Sequence, residues 1–65
     1  MNVAIAKDGV VVTMNGNIIS VSNGEIYSFC DGLLVSSVSG FTSIGCRNVT
    51  EAFGIVLGLH GGRSF

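Results

Sequence analysis

Five turn dipeptides punctuate the first forty residues of this chain: Asp8-Gly9, Asn15-Gly16, Asn23-Gly24, Asp31-Gly32 and Ser39-Gly40. They recur about every eight residues, and the segments between them are apolar and β-branched. Asn-Gly and Asp-Gly accept the positive φ angles of tight hairpin loops, so each marks a reversal between antiparallel strands. The spacing predicts a β-meander with strands over about 2–7, 10–15, 18–22, 25–30 and 33–39.

Two-residue loops at these dipeptides fix a register. Ile5 then pairs with Val12 and Val3 with Met14, and an inner face collects Val3, Ile5, Val12, Met14, Ile19 and Val21, continuing through Ile26, Ser28, Cys30, Leu33 and Val35. The opposite face carries Ala4, Ala6, Val11, Thr13, Ile18 and Ser20, then Tyr27, Phe29 and Leu34. That second face is too apolar at its far end to lie in water, so it is expected to meet protein. A single bulge would exchange the two faces beyond it.

After Gly40 the period changes. Asn48 can cap a helix, and Glu51 can reach back to the start of it. Val49, Ala52, Phe53, Val56, Leu57 and His60 follow at three- and four-residue steps, the pattern of one helical face, and Gly61-Gly62 ends the element. This predicts a helix over about 48–60. Gly54 and Gly58 read as positions that let the helix approach the sheet closely. Phe41 to Arg47 is either loop or an early helix start at Thr42 or Ser43. The fold class is therefore α+β: one small domain, 1–65, with a meander of about five strands and one C-terminal helix packed on it.

Of the 65 residues 48% are hydrophobic and 11% charged, against roughly 25% charged in an average soluble domain. A chain this short hides apolar surface poorly, so a protein partner is expected, and with it self-association as a homodimer or higher homo-oligomer. The interface candidates are Tyr27, Phe29 and Leu34 on the second face, with Phe41, Arg47, Arg63 and Phe65, because aromatic and Arg side chains dominate interface energetics. Lys7, Arg47 and Arg63 are scattered and the net charge is −1, which argues against nucleic acid. The longest apolar run, Ala52 to Leu59, is broken by two glycines and falls short of the ~20 residues of a membrane span. No signal peptide is apparent, and the expected compartment is the cytoplasm.

Chemistry is sparse. Cys30 and Cys46 form no Cys-x-x-Cys pair, and in a reducing compartment they read as small hydrophobes. Either thiol with His60 is the one enzymatic pairing on offer, against the plainer reading that His60 sits in the last helical turn, where a cation suits the dipole. Asp8 and Asp31 are explained by their turns and Glu51 by its cap. No catalytic, cofactor-binding or metal-binding residue is assigned.

Val3 to Val12 (VAIAKDGVVV) and Gly24 to Gly40 (GEIYSFCDGLLVSSVSG), followed by a helix, resemble the N-terminal third of proteasome β-subunits and their bacterial two-ring relatives. The resemblance covers roughly residues 3 to 56. It implies an opening hairpin, a second hairpin and a first helix within a helix–sheet–sheet–helix fold. The family's nucleophilic threonine would fall at or before Met1, where no threonine or serine stands. Its aspartate falls at Asn15 or Gly16, and its lysine at Glu25 or Ile26. Only Gly40, matching an oxyanion-donating amide, is kept. The resemblance thus implies a noncatalytic scaffold, two copies of which would rebuild the four layers.

The expected function is a noncatalytic protein-binding module, a stoichiometric inhibitor or modulator of another protein of the kind that phages and mobile elements encode. The alternative is a structural or assembly subunit that forms a homo-oligomer through its sheet. A small thiol-dependent enzyme comes third.

Overall fold

The computed structural model describes residues 1–62. Six strands lie side by side in chain order: β1 (Asn2–Ile5), β2 (Val11–Asn15), β3 (Ile18–Val21), β4 (Ile26–Cys30), β5 (Leu33–Ser36) and β6 (Ile44–Gly45). All neighbours are antiparallel. A single helix, α1 (Val49–Leu57), follows. The fold is an antiparallel meander with one C-terminal helix, α+β as the sequence predicts. The sixth strand extends the expected five. It is only two residues long and too short to leave a periodic signal, and it lies within the stretch that the sequence leaves as loop or early helix.

The loops decide which side chains are buried. Asp31-Gly32 is a two-residue loop with both residues at positive φ (50° and 76°), the geometry of a type I′ turn, and Cys30 pairs with Leu33 across it. Gly16-Asn17 is also a two-residue loop, with Gly16 at φ 63° and Asn15 opposite Ile18. The other two hairpins are built differently. In the first, Gly9 N–H donates to the Ala6 carbonyl and Ala6 N–H to the Val10 carbonyl, which encloses three residues, Lys7-Asp8-Gly9. In the second, Gly24 N–H donates to Val21 and Val21 N–H to Glu25, enclosing Ser22-Asn23-Gly24. Both are a turn closed by a left-handed glycine, and in both the acid or amide before that glycine accepts from the N–H two residues on: Val10 to Asp8 Oδ1, Glu25 to Asn23 Oδ1.

One extra loop residue shifts the register by one and turns a strand over. Ile5 therefore pairs with Val11, not Val12, and Ile19 pairs with Tyr27. The expected faces hold for β2 and β3 and are exchanged for β1, β4 and β5. Tyr27, Phe29 and Leu34, expected on an uncovered face, lie on the side covered by α1; Tyr27 is 3% exposed and Leu34 fully buried. The core is Ala6, Val12, Ile19, Val21, Tyr27 and Leu34 from the sheet side, closed by Ala52 and Val56 of α1. The opposite face, with Val3, Ile5, Val11, Ile18, Ile26 and Leu33, stands in solvent.

The helix begins as its residues require. Asn48 is extended (φ −160°, ψ 174°), and its Oδ1 accepts from Glu51 N–H at 2.9 Å. Glu51 reaches back one residue beyond the cap, to Arg47 N–H at 2.7 Å. At the other end regular α geometry stops at Leu57, short of the expected 60, and a wider turn, Gly58–Gly62, follows. Gly61 at φ 78° reverses the chain there.

Gly54 and Gly58 do not serve a close approach, because a Cβ at either would meet nothing within 4 Å. The helix bears on the sheet through Ala52 and Val56 instead. Gly54→Ala is accordingly expected to raise stability by about 0.5–1 kcal/mol through helix propensity alone. Urea titration measures it, and a loss of stability would show a neighbour that the open space does not reveal.

Candidate functional site

Loops of a meander alternate between the two ends of the sheet, so the first and third turns share an end. That places Asp8, in the first, beside Glu25, which closes the third. The Gly58–Gly62 turn lies at the same end, and His60 fills the space between the two acids. His60 Nδ1 lies 2.8 Å from Asp8 Oδ2, and Nε2 lies 2.8 Å from Glu25 Oε1. The Tyr27 hydroxyl, rising from the core, donates to the same Glu25 oxygen at 2.8 Å. The His60 carbonyl accepts from Asp8 N–H at 3.3 Å, a second tie between the same partners. Four side chains from three parts of the chain thus form one hydrogen-bonded row, Asp8–His60–Glu25–Tyr27.

The protonation state follows from the geometry. A neutral imidazole has one N–H and one lone pair, so between two carboxylates one of its nitrogens would oppose another lone pair. Only the doubly protonated ring donates to both. The ring side chain is 11% exposed, which adds weight to the charge pairing. The bond to Asp8, then that to Glu25, holds the His60 pKa above its ordinary 6.5 against the opposing effect of burial. His60 in turn holds Asp8 below the usual carboxylate value. Glu25 is lowered chiefly by the Tyr27 hydroxyl and then by His60. Burial, reinforced by the Glu25 charge, pushes the Tyr27 phenol up to about 12.

These shifts have opposite signs in pH. The raised His60 stabilises the fold fully below 6.5 and loses that contribution as pH rises through its folded value. The lowered acids stabilise above their ordinary 3.8 and 4.5 and lose it as pH falls through their folded values. All three contribute together between 4.5 and 6.5.

This arrangement is a clasp. Both ring nitrogens of His60 are engaged by carboxylates, so neither is free to take a proton from Cys30 or Cys46. Cys30 is exposed beside Asp31 and Cys46 is half-buried; both are free thiols. Among the described residues no group of three or more His, Cys, Asp or Glu side chains is placed to hold a metal ion. No described helix is long and apolar enough to cross a membrane.

Of the interface candidates, Tyr27 and Leu34 are core residues and Phe29 packs half-buried against the core. Phe41 is half-buried, edge-on to Tyr27 with ring centroids 5.4 Å apart at 77°. Arg47 stands in solvent, 3.8 Å from Glu51. Arg63 and Phe65 lie outside the described residues. Sequence reasoning assigned Asp8 to its turn and His60 to the helix dipole, and gave Glu25 no role. The usable signal was turn parity, which brings the acids of the first and third loops to one end.

The chain matches no protein-family model, and no curated protein or solved structure resembles it significantly.

Proposed function

We propose that this chain is a noncatalytic protein-binding module that pairs with a second copy of itself through the uncovered sheet face and acts stoichiometrically on another protein. The observation that supports this is the face itself. Val3, Ile5, Val11, Ile18, Ile26 and Leu33 are 37–73% exposed on it, and the register places Thr13, Ser20 and Ser28 among them with no charged side chain anywhere on β1 to β5. A face without charge has no repulsion to overcome when it meets its own copy, and apolar surface of this extent on so small a protein marks an interaction site.

The magnitudes favour that occupant. The exposed fractions amount to about three whole aliphatic side chains, worth roughly 5–9 kcal/mol per copy when covered and about twice that for a symmetric pair. Association costs ~4–15 kcal/mol, a magnitude that the covered face matches. Stacking the sheets leaves each α1 outside, the helix–sheet–sheet–helix order that the sequence resemblance implies. It also leaves Phe41 and Arg47 outside the stacked sheets, accessible to another protein. The charge-free face equally favours a second reading, a structural subunit whose function is the assembly itself.

Sedimentation equilibrium tests the pairing. The protein is expected to be a dimer, and Ile18→Arg, at the middle of the face, to give a folded monomer. A monomeric parent protein, or a dimer that Ile18→Arg leaves intact, overturns the proposal.

A further inference from the structure

The His60 row does more than the binding reading requires, because among the described residues it ties the Gly58–Gly62 turn to the turns of the sheet through groups that titrate. The geometry points to a proton-operated latch: protonated His60 holds the Gly58–Gly62 turn on the Asp8 and Glu25 hairpin ends, and loss of one proton from the ring releases that turn from the sheet. Two features make the release local. The ties of His60 run to Asp8 and Glu25 at the hairpin ends and not to a partner within the strand ladder, and Gly58 and Gly61 lie on either side of His60 with backbones that turn at little cost.

Deprotonation cannot be absorbed in place. Whichever nitrogen loses its proton then faces a carboxylate oxygen across 2.8 Å with no hydrogen between them. Neither acid can take up a proton as pH rises, and the Tyr27 hydroxyl is committed to Glu25 at 2.8 Å. The groups that face His60 are Asp8 from the first turn, Glu25 from the start of β4 and Tyr27 behind it; Lys7 adjoins Gly61, its Cβ 3.9 Å from where a Cβ there would stand. Glu51, the one acid on α1, caps the far end of the helix with Arg47. Of the side chains that face this row, His60 is the one whose ordinary range lies near neutrality.

The latch has a direct readout, since Asp8 N–H donates to the His60 carbonyl at 3.3 Å and is protected only while the turn is docked. Proton NMR of the whole protein across pH 5–9, roughly the histidine range, should show the His60 ring titrating above 6.5. Corrected for intrinsic rates, Asp8 amide exchange should quicken by about tenfold or more through that titration. The Phe29 amide, bonded to the Asn17 carbonyl at the opposite end, should not. Asp8→Asn is the discriminating variant. Asn23 performs the same turn role in the twin loop, so the hairpin survives while the charge facing His60 is removed, and the ring titration should fall back toward 6.5. His60→Gln should abolish the pH step in Asp8 exchange. A ring that titrates at or below 6.5, or an Asp8 amide whose protection ignores the His60 titration, overturns the latch.

Discussion

Tyr27→Arg is expected to unfold the protein, not to separate its copies. Tyr27 is 3% exposed, its ring meets Phe41 edge-on, and its hydroxyl is held by Glu25. Arginine at this position loses the aromatic packing, worth about 3–5 kcal/mol by comparison with large-to-small core changes. It also places a guanidinium beneath the helix, a charge that destabilises the core unless it is fully paired. A domain of 65 residues has roughly 3–10 kcal/mol of stability in all. Circular dichroism should show loss of the cooperative thermal transition at ordinary temperature. A well-folded Tyr27→Arg protein with a normal melting temperature would mean that the side chain faces outward and that β4 has the other register.

Ile19→Ala and Ile18→Ala make a matched pair on adjacent residues. Ile19 is fully buried in an interior strand, opposite Met14 on one side and Tyr27 on the other, so its truncation opens a cavity at the centre of the sheet. The expected cost is about 2–5 kcal/mol, a large part of the total. Ile18 points the other way and is 44% exposed, so Ile18→Ala should change the stability of the folded monomer by only ~0.5 kcal/mol. Denaturant titrations at low protein concentration separate the two. Equal losses at both positions would overturn the division of the sheet into a covered and an uncovered face.

That division shows how far the sequence could be read. The turn dipeptides mark the four hairpins that join β1 to β5, because a glycine at positive φ leaves a visible composition. They do not reveal loop length. Asp31-Gly32 fills a two-residue loop by itself, whereas Asp8-Gly9 and Asn23-Gly24 are the last two residues of three-residue loops. The same two letters serve both geometries, and the difference of one residue inverts β1 at one hairpin and β4 with β5 at the other. β2 and β3 escaped because the loop joining them has the expected length. The start of α1 was legible, since Asn48 and Glu51 cap through local contacts. Its end was not, because His60 is placed by acids 52 and 35 residues away.

The meander order also sets how the chain can come together. Every strand pairs with the one just before it, so the sheet can grow by successive closures of short loops. The step that brings His60 back to Asp8 spans 52 residues and carries a closure entropy roughly 2 kcal/mol larger than that of a single hairpin. The short closures of the sheet thus favour strand pairing ahead of the docking of the His60 turn. The loops sort the side chains between the two faces, and the helix, by covering one, leaves the other as the surface on which a second chain can settle.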